Sequence, residues 1–106
     1  MSSLSSLSTH VLDTARGRPA AGIPVQLLDA SGARLDDGIT DADGRIGELG
    51  GDLTPGAYTV RFEVAAYQPD GFYPEVAVTF TVAEGESHYH VPLLLSPYGY
   101  STYRGS

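Results

Sequence analysis

Apolar and polar residues alternate along four segments of the chain. In one of them, Val76, Val78, Phe80 and Val82 are separated by alanine and threonine. Successive side chains of a β-strand point to opposite faces, so this period-two pattern predicts strands with one face toward a core. The four segments with this alternation are 23–27, 58–64, 76–82 and 89–95.

Weaker segments of the same kind, separated by turns rich in glycine, proline and aspartate, bring the predicted total to about eight strands. Short strands at this spacing are typical of an all-β sandwich. Only residues 63–68 could form a helix, of one or two turns, because Pro69-Asp-Gly71 would end it. We see no domain boundary and predict a single domain over 1–106. The weaker strands are predicted at 8–12, 33–39, 45–48 and 100–104.

Composition excludes several classes of function. The chain has no cysteine, which rules out disulfides and thiolate chemistry. Six arginines and no lysine face thirteen acids, and the net charge of −7 argues against nucleic acid as a partner. No apolar run approaches the roughly 18 residues that span a membrane, and the first residues lack the basic start of a secretory signal. We therefore expect a cytoplasmic protein that binds neither nucleic acid nor membrane.

Three histidines are the first candidates for chemistry. His88 and His90 are two apart in a predicted strand, so both side chains point to one face, and His10 could join them around a metal ion. No acidic residue stands nearby at a ligand-like spacing, and strand histidines are often merely solvated. The sequence therefore does not favour a metal site.

The segment from Asp41 to Arg45 looks like part of a calcium loop. With Gly44 at the sixth loop position, Ile39 and Gly50 would occupy the first and twelfth, and neither offers a carboxylate. A tight turn with glycine at positive φ is the simpler interpretation, and it leads Arg45 into the next strand. From the pattern alone, Arg45 is more simply a solvated charge than the anchor of a pocket.

Two features of the sequence suggest contacts beyond the core: a subunit interface at one strand and a docked C-terminal tail. Leu94 falls on the outer face of its strand with His90 and Pro92, which favours a subunit interface over a face covered by a loop. The tail after Pro97 holds three tyrosines and an arginine, a composition typical of a docked rather than a free terminus. From composition and spacing alone, an all-β domain with a histidine site is as far as the prediction goes.

Two longer segments resemble a known family. Residues 10–20 read His-Val-Leu-Asp-Thr-Ala-Arg-Gly-Arg-Pro-Ala, and residues 89–101 read Tyr-His-Val-Pro-Leu-Leu-Leu-Ser-Pro-Tyr-Gly-Tyr-Ser before the ending Thr-Tyr-Arg-Gly-Ser. Together they resemble the transthyretin family, and the match of strand order and length covers nearly the whole chain. The closing Tyr-Arg-Gly-Ser is similar to the branch that hydrolyses 5-hydroxyisourate, not to the hormone-carrying branch.

The resemblance implies an eight-stranded transthyretin-like β-sandwich with at most one short helix. It also implies a homotetramer, a dimer of dimers formed by edge pairing, with the site at the dimer–dimer interface. Family members often carry a longer helix between the fifth and sixth strands, whereas 65–71 leaves room here for little more than a turn.

The resemblance further implies a reaction and its residues. 5-Hydroxyisourate would be hydrolysed to 2-oxo-4-hydroxy-4-carboxy-5-ureidoimidazoline, in urate degradation, by histidine-assisted attack of water on a ring acyl C–N bond, with no metal or organic cofactor. Which histidine is the base stays open, and His88 lies outside the matching pattern. A carrier of aromatic small molecules is the alternative, and a structural adhesion-type domain ranks below it. The implied catalytic residues are His10, Arg45 and His90, and the implied substrate-binding residues are His10, Arg45, Tyr103, Arg104, Gly105 and Ser106.

Overall fold

The computed structural model describes residues 4–105, which form two β-sheets packed into a sandwich. The first sheet has the order β2-β1-β8-β9, with β5 beside β2 along the same edge of β1, and the second has the order β4-β3-β6-β7. The strands are β1 (Ser6–Asp13), β2 (Arg18–Pro19), β3 (Pro24–Leu28), β4 (Arg34–Ile39), β5 (Arg45–Ile46), β6 (Gly56–Phe62), β7 (Val76–Val82), β8 (His88–Ser96) and β9 (Gly99–Thr102).

The core lies between the sheets and is built from alternate residues of their strands. In β1 every second residue is buried, from Leu7 to Asp13, and in β6 the buried set is Tyr58, Val60 and Phe62. Burial of these side chains fixes the register of each strand, because a slip of one residue would turn its apolar set to the outer face. The residues between them in β1, among them His10, are therefore held on the outer face of the first sheet.

The predicted all-β sandwich is confirmed, with differences at the ends of elements. The two-residue strand β2 is too short to show a period and was not predicted, and β5 ends at Ile46 rather than at residue 48. Beyond Ile46 the chain still follows β1, because the amide of Leu49 donates a 2.9 Å hydrogen bond to the carbonyl of Leu7. The last strand ends at Thr102, two residues before its predicted end.

The helix expected within 63–68 is a single 3₁₀ turn at Val64–Ala66. The amide of Gln68 still bonds to the carbonyl of Val64, and Pro69 follows directly. Because proline cannot donate a backbone hydrogen bond, the segment stops there. Within residues 4–105, no helix has the length and apolar character needed to cross a membrane.

Candidate active site

A tight turn places Arg45 beside His10. One carboxylate oxygen of Asp41 accepts hydrogen bonds of 2.9 Å from the amides of both Asp43 and Arg45. The turn needs Gly44, which has a φ of +73°, as the sequence predicts. It leads into β5, which pairs antiparallel with β1 so that Arg45 lies directly opposite His10. Residues opposed in this way have β-carbons about 4.5–5.5 Å apart and share one face of the sheet.

The strand on the other side of β1 brings His90 to the same face. β8 runs parallel to β1, with Ser8 opposite His90 and His10 opposite Pro92. His90 is thus one diagonal step from His10 across neighbouring strands, on the face away from the core. The two histidines are 80 positions apart in the chain and meet only because β1 and β8 pair in this register.

The C-terminal tail continues the row past His90. Beyond β9 the chain stays next to β8, and the amide of Gly105 donates a 2.8 Å hydrogen bond to the carbonyl of His90. Arg45, His10, His90 and Gly105 therefore lie in sequence across adjacent segments of one sheet face. Ser106, which the resemblance assigns to the same site, lies outside the described residues.

Arg104 faces away from this row. Its guanidinium donates a 3.1 Å hydrogen bond to Glu86 and stacks 4.7 Å from the ring centre of Tyr89. Tyr89 is a core residue, so Arg104 contacts the opposite side of β8 from His90. Tyr103 is 56% exposed and lines, with Arg104, a groove of about 420 Å³ between the edges of the two sheets. In this protomer Arg104 thus anchors the tail rather than pointing toward the histidines.

The imidazole of His90 is held by a hydroxyl and is poor at holding a proton. Its Nδ1 lies 2.8 Å from the Oγ of Ser8. Burial, and then the positive charge of Arg45 with smaller contributions from His10 and His88, lowers the pKa of His90 below its ordinary value of 6.5. His90 is therefore a neutral imidazole at neutral pH, which is the form that can accept a proton.

The imidazole of His10 has a buried nitrogen without a partner. Within the described part of the chain, Nε2 of His10 makes no hydrogen bond, although it is buried. An unpaired polar group in such a place costs on the order of 1–3 kcal/mol, so unpaired groups of this kind are rare where function does not require them. The residue itself lies opposite Arg45 in the pairing of β1 with β5.

Taken together, the row offers two imidazoles, a guanidinium and the backbone of the tail on one face. Acid–base groups next to a cation suit proton transfer and the stabilisation of negative charge that develops during a reaction. Among residues 4–105, no group of three or more histidine, aspartate or glutamate side chains is arranged to hold a metal ion.

Comparison with known proteins agrees with this fold. Residues 7–105 match the model of the HIUase/Transthyretin family. The chain belongs to this family. The match includes His10, Arg45, His90 and all but the last residue of the tail.

Several curated relatives of this chain are named 5-hydroxyisourate hydrolases. The 5-hydroxyisourate hydrolase of Salmonella typhimurium is 47% identical, over 94% of this chain and 80% of its own length. That of Deinococcus radiodurans is 43% identical over the full length of both chains. The chain spans 37% of the length of a plant relative, the uric acid degradation bifunctional protein TTL of Arabidopsis thaliana, at 42% identity.

Solved structures of the family superpose closely on the sandwich. The 5-hydroxyisourate hydrolase of Klebsiella pneumoniae has a TM-score of 0.89 at 37% identity and covers 96% of this chain and 99% of its own. Sea bream transthyretin, solved in complex with thyroxine, has a TM-score of 0.82 at 33% identity and covers 93% of both chains. These similarities confirm the family resemblance that the two sequence segments indicate.

Sequence reasoning missed the hydroxyls that surround the histidines. Ser6 and Ser8 lie on the same face of β1 as His10, and each is opposite a histidine of β8. The Oγ of Ser6 is 2.6 Å from Nδ1 of His88, and the Oγ of Ser8 is 2.9 Å from Nε2 of the same ring. The sequence does indicate that residues 6, 8 and 10 share one face, since they alternate with the buried residues of β1. What the sequence lacked was the pairing of β1 with β8.

Proposed function

We propose that this chain is a 5-hydroxyisourate hydrolase of urate degradation. The observation that carries the proposal is the row of Arg45, His10, His90 and Gly105 on one sheet face. The names of the relatives agree with it, because the hydrolases that match this chain do so over most or all of their length. A planar, oxidised purine can lie over this row with polar groups at its edges.

The reaction needs water made nucleophilic and a proton for the leaving nitrogen. The oxygen of water bonds to the acyl carbon of the ring, and the C–N bond then breaks with its electron pair passing to nitrogen. Nitrogen takes a proton, and the acyl carbon becomes a carboxylate. The ring-opened product is 2-oxo-4-hydroxy-4-carboxy-5-ureidoimidazoline, and no redox step or cofactor is required.

The two histidines divide the movement of protons. His90 is neutral at neutral pH because its pKa is lowered, so it takes the proton from water. His10 has an unpaired Nε2 that is buried in the protomer. We assign it the bond to a ring heteroatom or to the leaving nitrogen, which requires this atom to become accessible when substrate binds. The sequence alone does not distinguish the two histidines as base, whereas the surroundings of their rings differ.

Arg45 and the tail hold the substrate. The planar guanidinium of Arg45 pairs with ring carbonyls and with the negative charge that develops on oxygen as water attacks. Loss of one such donor typically costs about 2.7–4 kcal/mol of barrier. Gly105 closes the site beside His90, and Arg104 supports the tail through its contacts with Glu86 and Tyr89. The roles of Tyr103 and Ser106 in substrate binding rest on the family resemblance.

The test follows the ultraviolet absorbance of freshly prepared 5-hydroxyisourate with and without the protein. We expect the wild-type chain to speed ring opening, and His10→Ala and His90→Ala each to lower turnover by about 10²-fold. Arg45→Ala should lose a similar factor, whereas Arg34→Ala on the other sheet should lose nothing. Ring opening at the uncatalysed rate, with tight binding of aromatic compounds, would instead indicate a carrier.

We also propose that the working form is a homotetramer, a dimer of dimers, with the site at the dimer–dimer interface. β7 and β9 each form one edge of a sheet, and within residues 4–105 no strand pairs with their outer sides. Such edges pair readily with a second copy. Aromatic side chains near these edges are exposed: Phe72 by 68%, Tyr98 by 80% and Tyr100 by 43%. Tyrosine and phenylalanine clustered on a surface favour a protein interface.

The outer face of the first sheet supplies the second contact of the tetramer. Leu12 and Leu94 are opposed there, on the face that carries His10 and His90. Leu94→Glu should therefore split the tetramer into dimers and lower activity together, as measured by light scattering and absorbance. Leu35→Glu, at a leucine on the other sheet that is 46% exposed, is the matched control and should change neither. Full activity in a Leu94→Glu dimer would show that each protomer holds a complete site.

A further inference from the structure

Hydrogen-bonded side chains form a continuous line along the pairing of β1 with β8. The Oγ of Ser6 is 2.6 Å from Nδ1 of His88, whose Nε2 is 2.9 Å from the Oγ of Ser8, and that oxygen is 2.8 Å from Nδ1 of His90. Hydroxyl and imidazole alternate without a gap. The line begins at Ser6, passes through exposed His88 and Ser8, and ends at the half-buried ring of His90.

The chemistry of these groups allows only two ordered arrangements of protons. A hydroxyl donates one hydrogen bond, so Ser8 can donate to one of its two imidazoles and must accept from the other. With Ser8 donating to His90, the proton of a neutral His90 sits on Nε2. With Ser8 donating to His88, the proton of His90 sits on Nδ1, and its Nε2 offers a lone pair.

We propose that His88, acting through Ser8, is a positioning residue that sets the protonation of His90 and relays its proton to solvent. When Nε2 of His90 takes a proton from water, the Nδ1 proton passes to the oxygen of Ser8. The hydroxyl proton of Ser8 passes to Nε2 of His88, and the Nδ1 proton of His88 leaves to Ser6 and solvent. Each group along the line takes up one proton and releases one, so its charge is unchanged at the end. His90 is again neutral.

The exposure of His88 suits this role. It is exposed in the protomer and lies opposite Ser6, two residues before His90 on the same strand. A ring at the protein surface exchanges protons with buffer, whereas a half-buried ring next to Arg45 does so poorly. The relay thus leads from the site to the start of β8, where His88 is exposed in the protomer.

The inference rests on the proposed hydrolysis, so its test has one part that depends on activity and one that does not. Steady-state kinetics on 5-hydroxyisourate compare His88→Ala, Ser8→Ala and the double variant with wild type. We expect each single variant to lower kcat by about tenfold with little change in KM. The double variant should be no slower than Ser8→Ala, because both substitutions break the same path. Added imidazole should restore part of the activity of His88→Ala and none of that of Ser8→Ala.

The second part reads the ring of His90 directly, by ¹⁵N NMR of the protein without substrate. His88→Ala and Ser8→Ala should both shift the ring nitrogen signals of His90. Thr79→Ala removes a hydroxyl that bonds to Thr59 at 2.8 Å on the other sheet, and should change neither kcat nor these signals.

Unchanged kcat and unchanged His90 signals in folded His88→Ala would overturn the relay, as would multiplied losses in the double variant. If Ser8→Ala does not fold, Ser8→Thr keeps the hydroxyl and should keep both kcat and the wild-type signals, while His88→Ala alone decides the test. A wild-type protein without hydrolytic activity would instead overturn the proposed function, and the NMR comparison would still report on the line of hydrogen bonds.

Discussion

Gly105 lies against the imidazole of His90 with no room for a side chain. A β-carbon built at position 105 comes within 2.5 Å of Cδ2 of His90 and 3.1 Å of its Cγ. The amide of Gly105 donates to the carbonyl of the same residue, so backbone and ring are both fixed by the tail. The tail thus acts as one wall of the site and determines where the His90 ring can lie.

This contact predicts the effect of one methyl group. Gly105→Ala should displace either the tail or the ring of His90, and a displacement of about 1 Å at a reacting group can cost about 10²-fold in rate. We expect kcat on 5-hydroxyisourate to fall by that order while the melting temperature stays near wild type, because the change lies at the chain end. Gly99→Ala is the matched control, since its β-carbon would meet only Ser96 Oγ, at 3.7 Å. Equal activity of the two variants would contradict the contact.

Gly44 gives a prediction about stability. Both Gly44 and Gly17 have positive φ, +73° and +67°, but only at Gly44 would a β-carbon collide with backbone, 2.4 Å from the carbonyl oxygen of Val11. Gly17→Ala should cost roughly 1–2 kcal/mol from strain alone. Gly44→Ala should cost that and about 1–3 kcal/mol more for the collision.

Urea unfolding of both alanine variants measures the difference between their free energies of unfolding. Because the turn at Gly44 aims Arg45, Gly44→Ala should also lose activity, which Gly17→Ala should keep. Equal losses of stability would show that strain in φ, not the approach to Val11, decides the effect.

The strands could be predicted because burial imposes a period of two that the sequence records directly. The same reasoning placed His88 and His90 on one face and gave Gly44 its turn. It could not find the line from Ser6 to His90, because that line depends on which strand pairs with β1. The local pattern of apolar and polar residues does not indicate contacts between residues about 80 positions apart.

Two residues show other limits of the sequence. Arg104 stands in the Tyr-Arg-Gly-Ser ending, but its direction is set by Glu86 and by the face of Tyr89, which only folding brings near. Asp13 is the last buried residue in the alternation of β1, and its partner Tyr67, which directly follows the 3₁₀ turn, is far along the chain. The catalytic roles of His10, Arg45 and His90 stay predictions until variants are measured.

Asp13 predicts a dependence of stability on pH. Burial raises the pKa of its carboxyl, but the Tyr67 hydroxyl at 2.7 Å and the amides of Ala15 and Arg16 outweigh burial, so the pKa is lowered from 3.8. The stabilisation that the ionised Asp13 carboxyl gives to the fold is therefore present above pH 3.8. It is lost as the pH falls through the pKa of Asp13 in the folded protein. Asp13→Asn should cost about 1–3 kcal/mol at pH 7.

Chemical denaturation across acidic pH tests this sign. The gap in unfolding free energy between wild type and Asp13→Asn should be constant from pH 7 to about 5 and narrow below about 4, as the wild-type carboxyl protonates. Asp70→Asn, at an exposed carboxyl, should follow the wild-type curve. A gap that persists undiminished at the lowest pH would mean that packing, not charge, stabilises the fold at this position.

The pH dependence of activity should follow His90. Its pKa is lowered first by burial and then by the positive charge of Arg45, with smaller effects of His10 and His88. Since the neutral ring accepts the proton from water, activity should be full above this pKa and fall as pH drops through it. The acid limb of kcat/KM should thus lie below 6.5, the ordinary value for histidine.

Removing the positive charge of Arg45 should raise the pKa of His90. Arg45→Gln takes away a charge that disfavours imidazolium, so the pKa of His90 should rise toward its ordinary value. NMR titration of the protein without substrate measures this rise separately from the loss of substrate binding that the same substitution causes. Arg34→Gln removes an equal charge from the other sheet and should leave the titration unchanged. If both substitutions shift His90 equally, net charge rather than the neighbouring guanidinium controls the ring, and the electrostatic role argued for Arg45 fails.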